Sequence, residues 1–219
     1  MIIAIDGPAG SGKSTVAMRL AQRLGFLMLN TGAMYRAVGV AAHEAGIDLD
    51  DGPACARLAA ELALDVDDEG RLLARGQVID MDGLLGEEPG AWASRVALQP
   101  EVRTVLVTVQ QAIGRRYDLV TEGRDTTTVV FPKADYKFFV TASLSERARR
   151  RLGQTGFHKN LEQTMAEVQR RDRQDREREV APLTHAPDAI EVLTDGLHID
   201  EVVEILWRQI DLPDKQDRA

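Results

Sequence analysis

Eight residues near the start, Gly7-Pro8-Ala9-Gly10-Ser11-Gly12-Lys13-Ser14, constrain this chain more than any other stretch. They match G-x-x-x-x-G-K-[ST] in full, after an apolar run and before residues with helical spacing, which is the context the motif requires. The physical demand is a chain that curls tightly enough to aim several backbone N–H groups at phosphate oxygens. Gly7, Gly10 and Gly12 permit the backbone angles and the close approach, with Pro8, Ala9 and Ser11 between them. A helix beginning near Lys13 points its positive end at the same place. Lys13 is expected to bridge the β and γ phosphates, Ser14 to offer its hydroxyl to Mg2+, and Thr15 to complete the nucleotide-binding set. The segment predicts a nucleoside triphosphate site on an α/β scaffold.

Periodicity supplies the rest of that scaffold. Strands are expected at residues 2–6, 26–29, 118–121, 136–140 and 189–193. Helices are expected at 16–24, at 32–45 with Thr31 as its cap, after the cap Ser143, and at 161–178 and 199–207. Strands alternating with helices imply a parallel central sheet flanked by helices on both faces, a three-layer P-loop fold. The stretch from Pro53 to Val96 breaks that rhythm. A helix over 53–64, a hairpin around Asp67-Asp68-Glu69-Gly70 and a third strand at 77–81 predict a small β-rich subdomain. Residues 53–97 are therefore expected to be inserted into a single 219-residue domain, with a loose polar tail at 213–219.

Charge narrows the ligand. A net charge of −8 argues against a nucleic-acid polymer held by phosphate attraction. Residues 147–178 nevertheless carry nine arginines and one lysine against five acids. A basic patch on an acidic chain suits a small, highly anionic ligand. No run approaches the roughly 20 apolar residues of a membrane span, and the lone Cys55 points to reducing cytoplasm. A monomer is expected.

A switch GTPase should carry an Asn-Lys-x-Asp base-reading segment; Lys159-Asn160 is the nearest approach and lacks the pattern. A motor should carry a strand ending in adjacent acids, whereas residues 118–121 run into Glu122-Gly123-Arg124-Asp125. Glu122 would contact Mg2+ through water, and Arg124 would aim at the same cleft. The balance favours a phosphotransferase. Two anionic substrates then have to be neutralised side by side, which planar, permanently charged arginine does well. Arg36 and Arg124 stand beside expected strand ends, where open α/β sheets bind ligands. His43, His158, His185 and His198 fall outside every motif, and an acceptor that is already ionised needs no general base.

Four segments occur in order: Gly7–Ser14, Thr31-Gly32-Ala33-Met34-Tyr35-Arg36, Glu122-Gly123-Arg124-Asp125 with Thr128-Val129-Val130-Phe131-Pro132, and Arg171-Asp172-Arg173-Gln174-Asp175-Arg176-Glu177-Arg178. Together they resemble the bacterial cytidylate (CMP) kinases over nearly the whole chain. The resemblance implies ATP as phosphoryl donor with Mg2+, and CMP and dCMP as acceptors. It implies that Arg36, Arg124 and Arg178 hold the acceptor phosphate and that Arg171 and Asp175 contact the ribose. Asp125, Ser94 and Arg103 would read cytosine, with Thr31 and Tyr35 lining the acceptor pocket. Residues 154–178 resemble the family's helical lid, and the insertion its acceptor-binding part. Thr126, Thr127, Asn30 and Glu122 depart from the family's usual residues, as does the stretch from Leu84 to Trp92.

Two other readings stand beside this one. A kinase of another small anionic acceptor, such as UMP or shikimate, would be separated by competing acceptors assayed side by side. A non-kinase ATP-binding regulatory protein would release no acceptor-dependent ADP.

Overall fold

Strands that all run the same way cannot be joined by hairpins, so crossover helices must cover the sheet. The computed structural model describes residues 1–155 and 160–211. Its central sheet comprises β1 (Ile2–Asp6), β2 (Leu27–Asn30), β6 (Leu119–Gly123), β7 (Tyr136–Thr141) and β8 (Ile190–Leu193). Their spatial order is β2-β6-β1-β7-β8, parallel at every pairing. The register sets Ile5 and Asn30 each opposite Glu122, and Asp6 opposite Gly123. Sequence-distant polar residues thus meet at one carboxyl edge.

Alternation along β6 divides the core. Leu119 faces a cluster with Leu29, Met34, Val38, Leu106 and Ile113. Val120 faces the other, with Ile3, Ile5, Leu20, Phe138 and Leu206. The first cluster packs under α2 (Thr31–Glu44), α3 (Gly52–Glu61), α4 (Glu87–Val96) and α5 (Pro100–Gly114). The second lies under α1 (Lys13–Leu24) and α8 (Ile199–Trp207). The arginine-rich α6 (Leu144–Thr155) and α7 (Leu161–Glu177) pack on each other. Ser143 Oγ accepts from the Glu146 N–H at 3.3 Å, capping α6 as its sequence suggests.

Local chemistry moves several boundaries. The first helix begins at Lys13, three residues before the first apolar helical position, because the phosphate loop turns directly into it. Asn30, not Thr31, caps α2: its side chain accepts from the Ala33 N–H at 2.9 Å. Thr31 lies inside the helix and instead donates its hydroxyl to Glu122 O at 2.8 Å, fastening α2 to β6. The helix expected over 53–64 starts at Gly52, where Asp51 caps it, and ends at Glu61.

The three-stranded antiparallel sheet is present as β3 (Asp65–Val66), β4 (Leu72–Ala74) and β5 (Gln77–Val78). Its third strand stops earlier than expected, before a 3-10 turn at Asp82–Leu84. Two further helices, α4 and α5, occupy stretches to which the sequence reading assigned no element. The tail at 213–219 and the Gly156-Phe157 part of the lid lie outside the described residues, as does His158. No helix among the described residues is long and apolar enough to cross a membrane.

Phe138 is fully buried on β7 within the second cluster. Phe138→Ala is expected to lower unfolding stability by about 3–5 kcal/mol, measured as a shift in the urea midpoint. A loss below about 1 kcal/mol would mean that this face of the sheet is not close-packed.

Candidate active site

The carboxyl ends of the parallel strands open onto a cavity of about 550 Å3, a size suited to small molecules. Ala9, Gly10, Ser11 and Gly12 form part of its wall and lead into Lys13, Ser14 and Thr15. Helix α2 contributes Thr31, Tyr35 and Arg36, and α4 contributes Ser94. The end of β6 and the turn after it bring Glu122, Arg124 and Asp125. Helix α7 and its C-cap add Arg171, Asp175 and Arg178.

Three residues expected at the site do not reach the wall. Gly7 packs against β7, where a Cβ would stand 2.0 Å from Val140 O, so its smallness serves loop-to-sheet packing. Pro8 presents its carbonyl to Lys13 Nζ at 3.3 Å. Arg103, buried on α5, lies behind Asp125 and forms an ion pair with it.

At the base of the loop, Ser14 Oγ donates to Glu122 Oε1 at 3.0 Å, and Lys13 Nζ is 3.9 Å from Glu122 Oε2. A hydroxyl and a carboxylate in contact form a hard oxygen donor set, which fits Mg2+ held jointly with phosphates.

Positive charge is crowded elsewhere in the cavity. Burial, then the nearby Arg124 charge, pushes Lys13 down to about 7. Burial and Arg124 likewise lower Arg171 to about 10, and burial lowers Arg36. The Arg171 Nε is buried without a hydrogen-bond partner. Arg124 behaves differently: burial disfavours its charge, but Asp175 at 2.7 Å, together with Glu122 and Asp172, more than compensates, and its guanidinium is held above the usual range. Asp125 accepts from Arg103 through one oxygen and from Arg178, at 3.2 Å, through the other. Tyr35 sits beside Arg103, and burial raises its hydroxyl to about 12.

A second buried carboxylate fixes this arrangement from below. Asp6, wholly enclosed at the end of β1, accepts from both the N–H and the hydroxyl of Thr126, at 2.9 and 2.7 Å. Thr127 donates the same pair to its other oxygen, at 2.8 and 2.6 Å. Burial raises the Asp6 carboxyl, and the threonine hydrogen bonds act against that rise. The π-helical turn Thr126–Val130 is thereby pinned to the carboxyl end of β1. Thr126 and Thr127 are the donors that satisfy this carboxylate.

Sequence reasoning missed several wall residues. Arg150, Arg151, Thr194, Leu197, Ile199 and Val202 also line the cavity. The arginines had a signal, the run Arg149-Arg150-Arg151 in the second turn of the helix that Ser143 caps. The apolar ones had none, because only the crossing of α8 brings them to the loop.

The sequence model of the cytidylate kinase family matches residues 3–212. The cytidylate kinase of Geobacter sp. (strain M21) is 43% identical over 216 residues, covering 96% of this chain and 92% of that protein. The bifunctional pantoate ligase/cytidylate kinase of Synechococcus elongatus is 47% identical over 218 residues, but the match spans only 41% of its length. Among solved structures, an uncharacterized protein from Eubacterium ventriosum shares the fold, with a TM-score of 0.55 at 11% identity and coverage of 97% and 99% of the two chains.

The depressed Lys13 value carries a measurable consequence. Its folded value of about 7 lies well below the ordinary 10.5, so Lys13 is expected to give up its proton far more readily at pH 8 than an exposed lysine. A bound polyphosphate favours the charged form, so ADP binding at pH 8 should be accompanied by proton uptake at Lys13. Calorimetry in two buffers of different ionisation enthalpy reads this directly. Equal heats in both buffers would contradict it, and Lys13→Met should abolish the difference.

Proposed function

This chain belongs to the cytidylate kinase family of nucleoside-monophosphate kinases, and from that premise we propose that it transfers the γ-phosphoryl group of ATP to CMP and dCMP. The observation that carries this reading is that the phosphate loop and the residues Arg36, Arg124, Arg171 and Arg178 line one cavity. A single nucleotide needs no such excess of guanidinium groups; two polyanions brought end to end do.

In the proposed reaction an acceptor phosphate oxygen attacks the γ phosphorus in line, and the bond to the β–γ bridging oxygen breaks as ADP leaves. Arg36, Arg124 and Arg178 hold the acceptor phosphate, while Lys13 and Arg171 spread the charge on the transferring group. Arg171 and Asp175 meet the ribose. Asp125, steadied by Arg103, accepts from the cytosine amine with Ser94 beside it, and Thr31 and Tyr35 shape the pocket. Uracil would set a carbonyl against that carboxylate, opposing acceptor to acceptor. Ser14 and Glu122 would hold Mg2+, which supplies charge neutralisation between the β and γ phosphates. Residues 53–97 and 160–178 cover the two nucleotides and exclude water, which would otherwise hydrolyse ATP.

An ATP-coupled assay across CMP, dCMP, UMP, AMP and shikimate tests the substrate assignment: CMP and dCMP should dominate, and a preference for any other acceptor would overturn it. Arg124→Ala should lower kcat/KM for CMP by about a thousandfold, consistent with loss of a transition-state contact, while ADP affinity changes less than threefold. An equal loss of ADP affinity would remove Arg124 from the acceptor side. Asp125→Asn keeps the size of the side chain and should narrow the CMP-over-UMP ratio by about tenfold; an unchanged ratio would take Asp125 out of base reading.

A further inference from the structure

A phosphate loop that aims its N–H groups inward turns its carbonyls outward, where each needs a donor. Three of these carbonyls find one here. Pro8 O accepts from Lys13, Ala9 O from Arg147 Nη1 at 3.0 Å, and Ser11 O from Arg150 Nη1 at 3.0 Å. Arg147 and Arg150 stand three residues apart on α6, a spacing that puts both on one face of the helix. Gly10 lets that face come close, since a Cβ there would meet Arg147 O at 2.8 Å.

Arg147 is buried, does not line the cavity, and pairs with Asp172 Oδ2 on α7 at 2.6 Å. The other oxygen of Asp172 accepts from the Ala9 N–H at 3.3 Å. Both amide groups of Ala9 are therefore held by one buried ion pair that also joins α6 to α7. On α7, Asp172 follows Arg171 and precedes Asp175 by three residues, and both of those neighbours line the cavity.

We propose that Arg147 and Asp172 are positioning residues whose ion pair holds the phosphate loop in its binding shape and locks α7 to it. One junction out of reach of either nucleotide then sets the donor and acceptor sides together. The donor half stands on the loop geometry; the acceptor half rests on the CMP reading above.

The test compares Asp172→Asn, Asp172→Glu and Arg147→Lys with the wild-type chain. ADP affinity is read by calorimetry, KM for CMP by coupled assay and folded fraction by urea titration. Asp172→Asn is expected to weaken ADP by about tenfold and to raise KM for CMP by about fivefold, because a buried pair that loses one partner cannot keep its geometry. Asp172→Glu restores the charge and should recover part of both. Arg147→Lys loses the forked donor and should weaken ADP to a similar degree. Combining Arg147→Lys with Asp172→Asn should then be no worse than either alone, as expected of groups that act as a unit.

A loss of kcat in step with the folded fraction, with both constants unmoved, would reduce the pair to a structural contact and overturn the proposal. Weaker ADP with unchanged KM for CMP would overturn the link to α7. Should Asp172→Asn not fold, the other two single variants carry the same comparison. A wild-type chain that binds ADP yet leaves CMP unphosphorylated would defeat the acceptor reading, and the ADP measurements alone would then judge the junction.

Discussion

Like charges packed together out of water repel strongly, and the cleft of this protein is organised around that repulsion. Lys13, Arg36, Arg124, Arg171 and Arg178 share one cavity with the carboxylates Glu122, Asp125 and Asp175. Two of the arginines are offset by pairing: Arg124 with Asp175, and Arg178 with Asp125. Lys13 and Arg171 retain depressed affinities for their protons, so their charge is only partly balanced. An anionic ligand would offset the positive charge gathered there.

Such crowding needs a rigid frame, and the frame is mostly backbone. The parallel register brings Asp6, Asn30 and Glu122 to one edge. From there each makes a bond that fixes a neighbouring segment: Asp6 the turn at Thr126 and Thr127, Asn30 the start of α2, Glu122 the hydroxyls of Ser14 and Thr31 through its side chain and backbone. The loop carbonyls are fixed in turn by α6, and Asp172 carries that constraint to α7. Polar contacts in a buried site strengthen one another only when every member is satisfied, and this network comes close. The hydroxyls of Thr126 and Thr127 complete the shell of the buried Asp6 carboxylate.

Much of the fold was legible because its signals are local. A glycine-rich loop between an apolar run and a helical one has few other meanings, and the five sheet strands lie within a few residues of their expected places. Helix α5 was missed for a physical reason. Val102, Val105, Val107 and Val109 are β-branched and favour strands, yet Val102, Leu106 and Ile113 recur at helical spacing and are the residues that become buried. Helix α4 is capped by Gly86 and carries few apolar residues, so its sequence offers little periodicity to read. The Thr31 assignment failed differently, because Asn30 and Thr31 are both competent caps and only the position of β6 decides between them.

By itself, then, the sequence determined the phosphate loop, the alternating architecture and the residue types gathered for a second anion, because these depend on neighbours along the chain. Only the tertiary structure decided that Arg103 stands behind Asp125 rather than in the cavity, that Gly7 serves the sheet, and that a buried pair from two helices grips both sides of Ala9. Those facts concern which groups lose their water and which partner each then finds. Neither is written in local order: desolvation and pairing arise only once distant segments have come together.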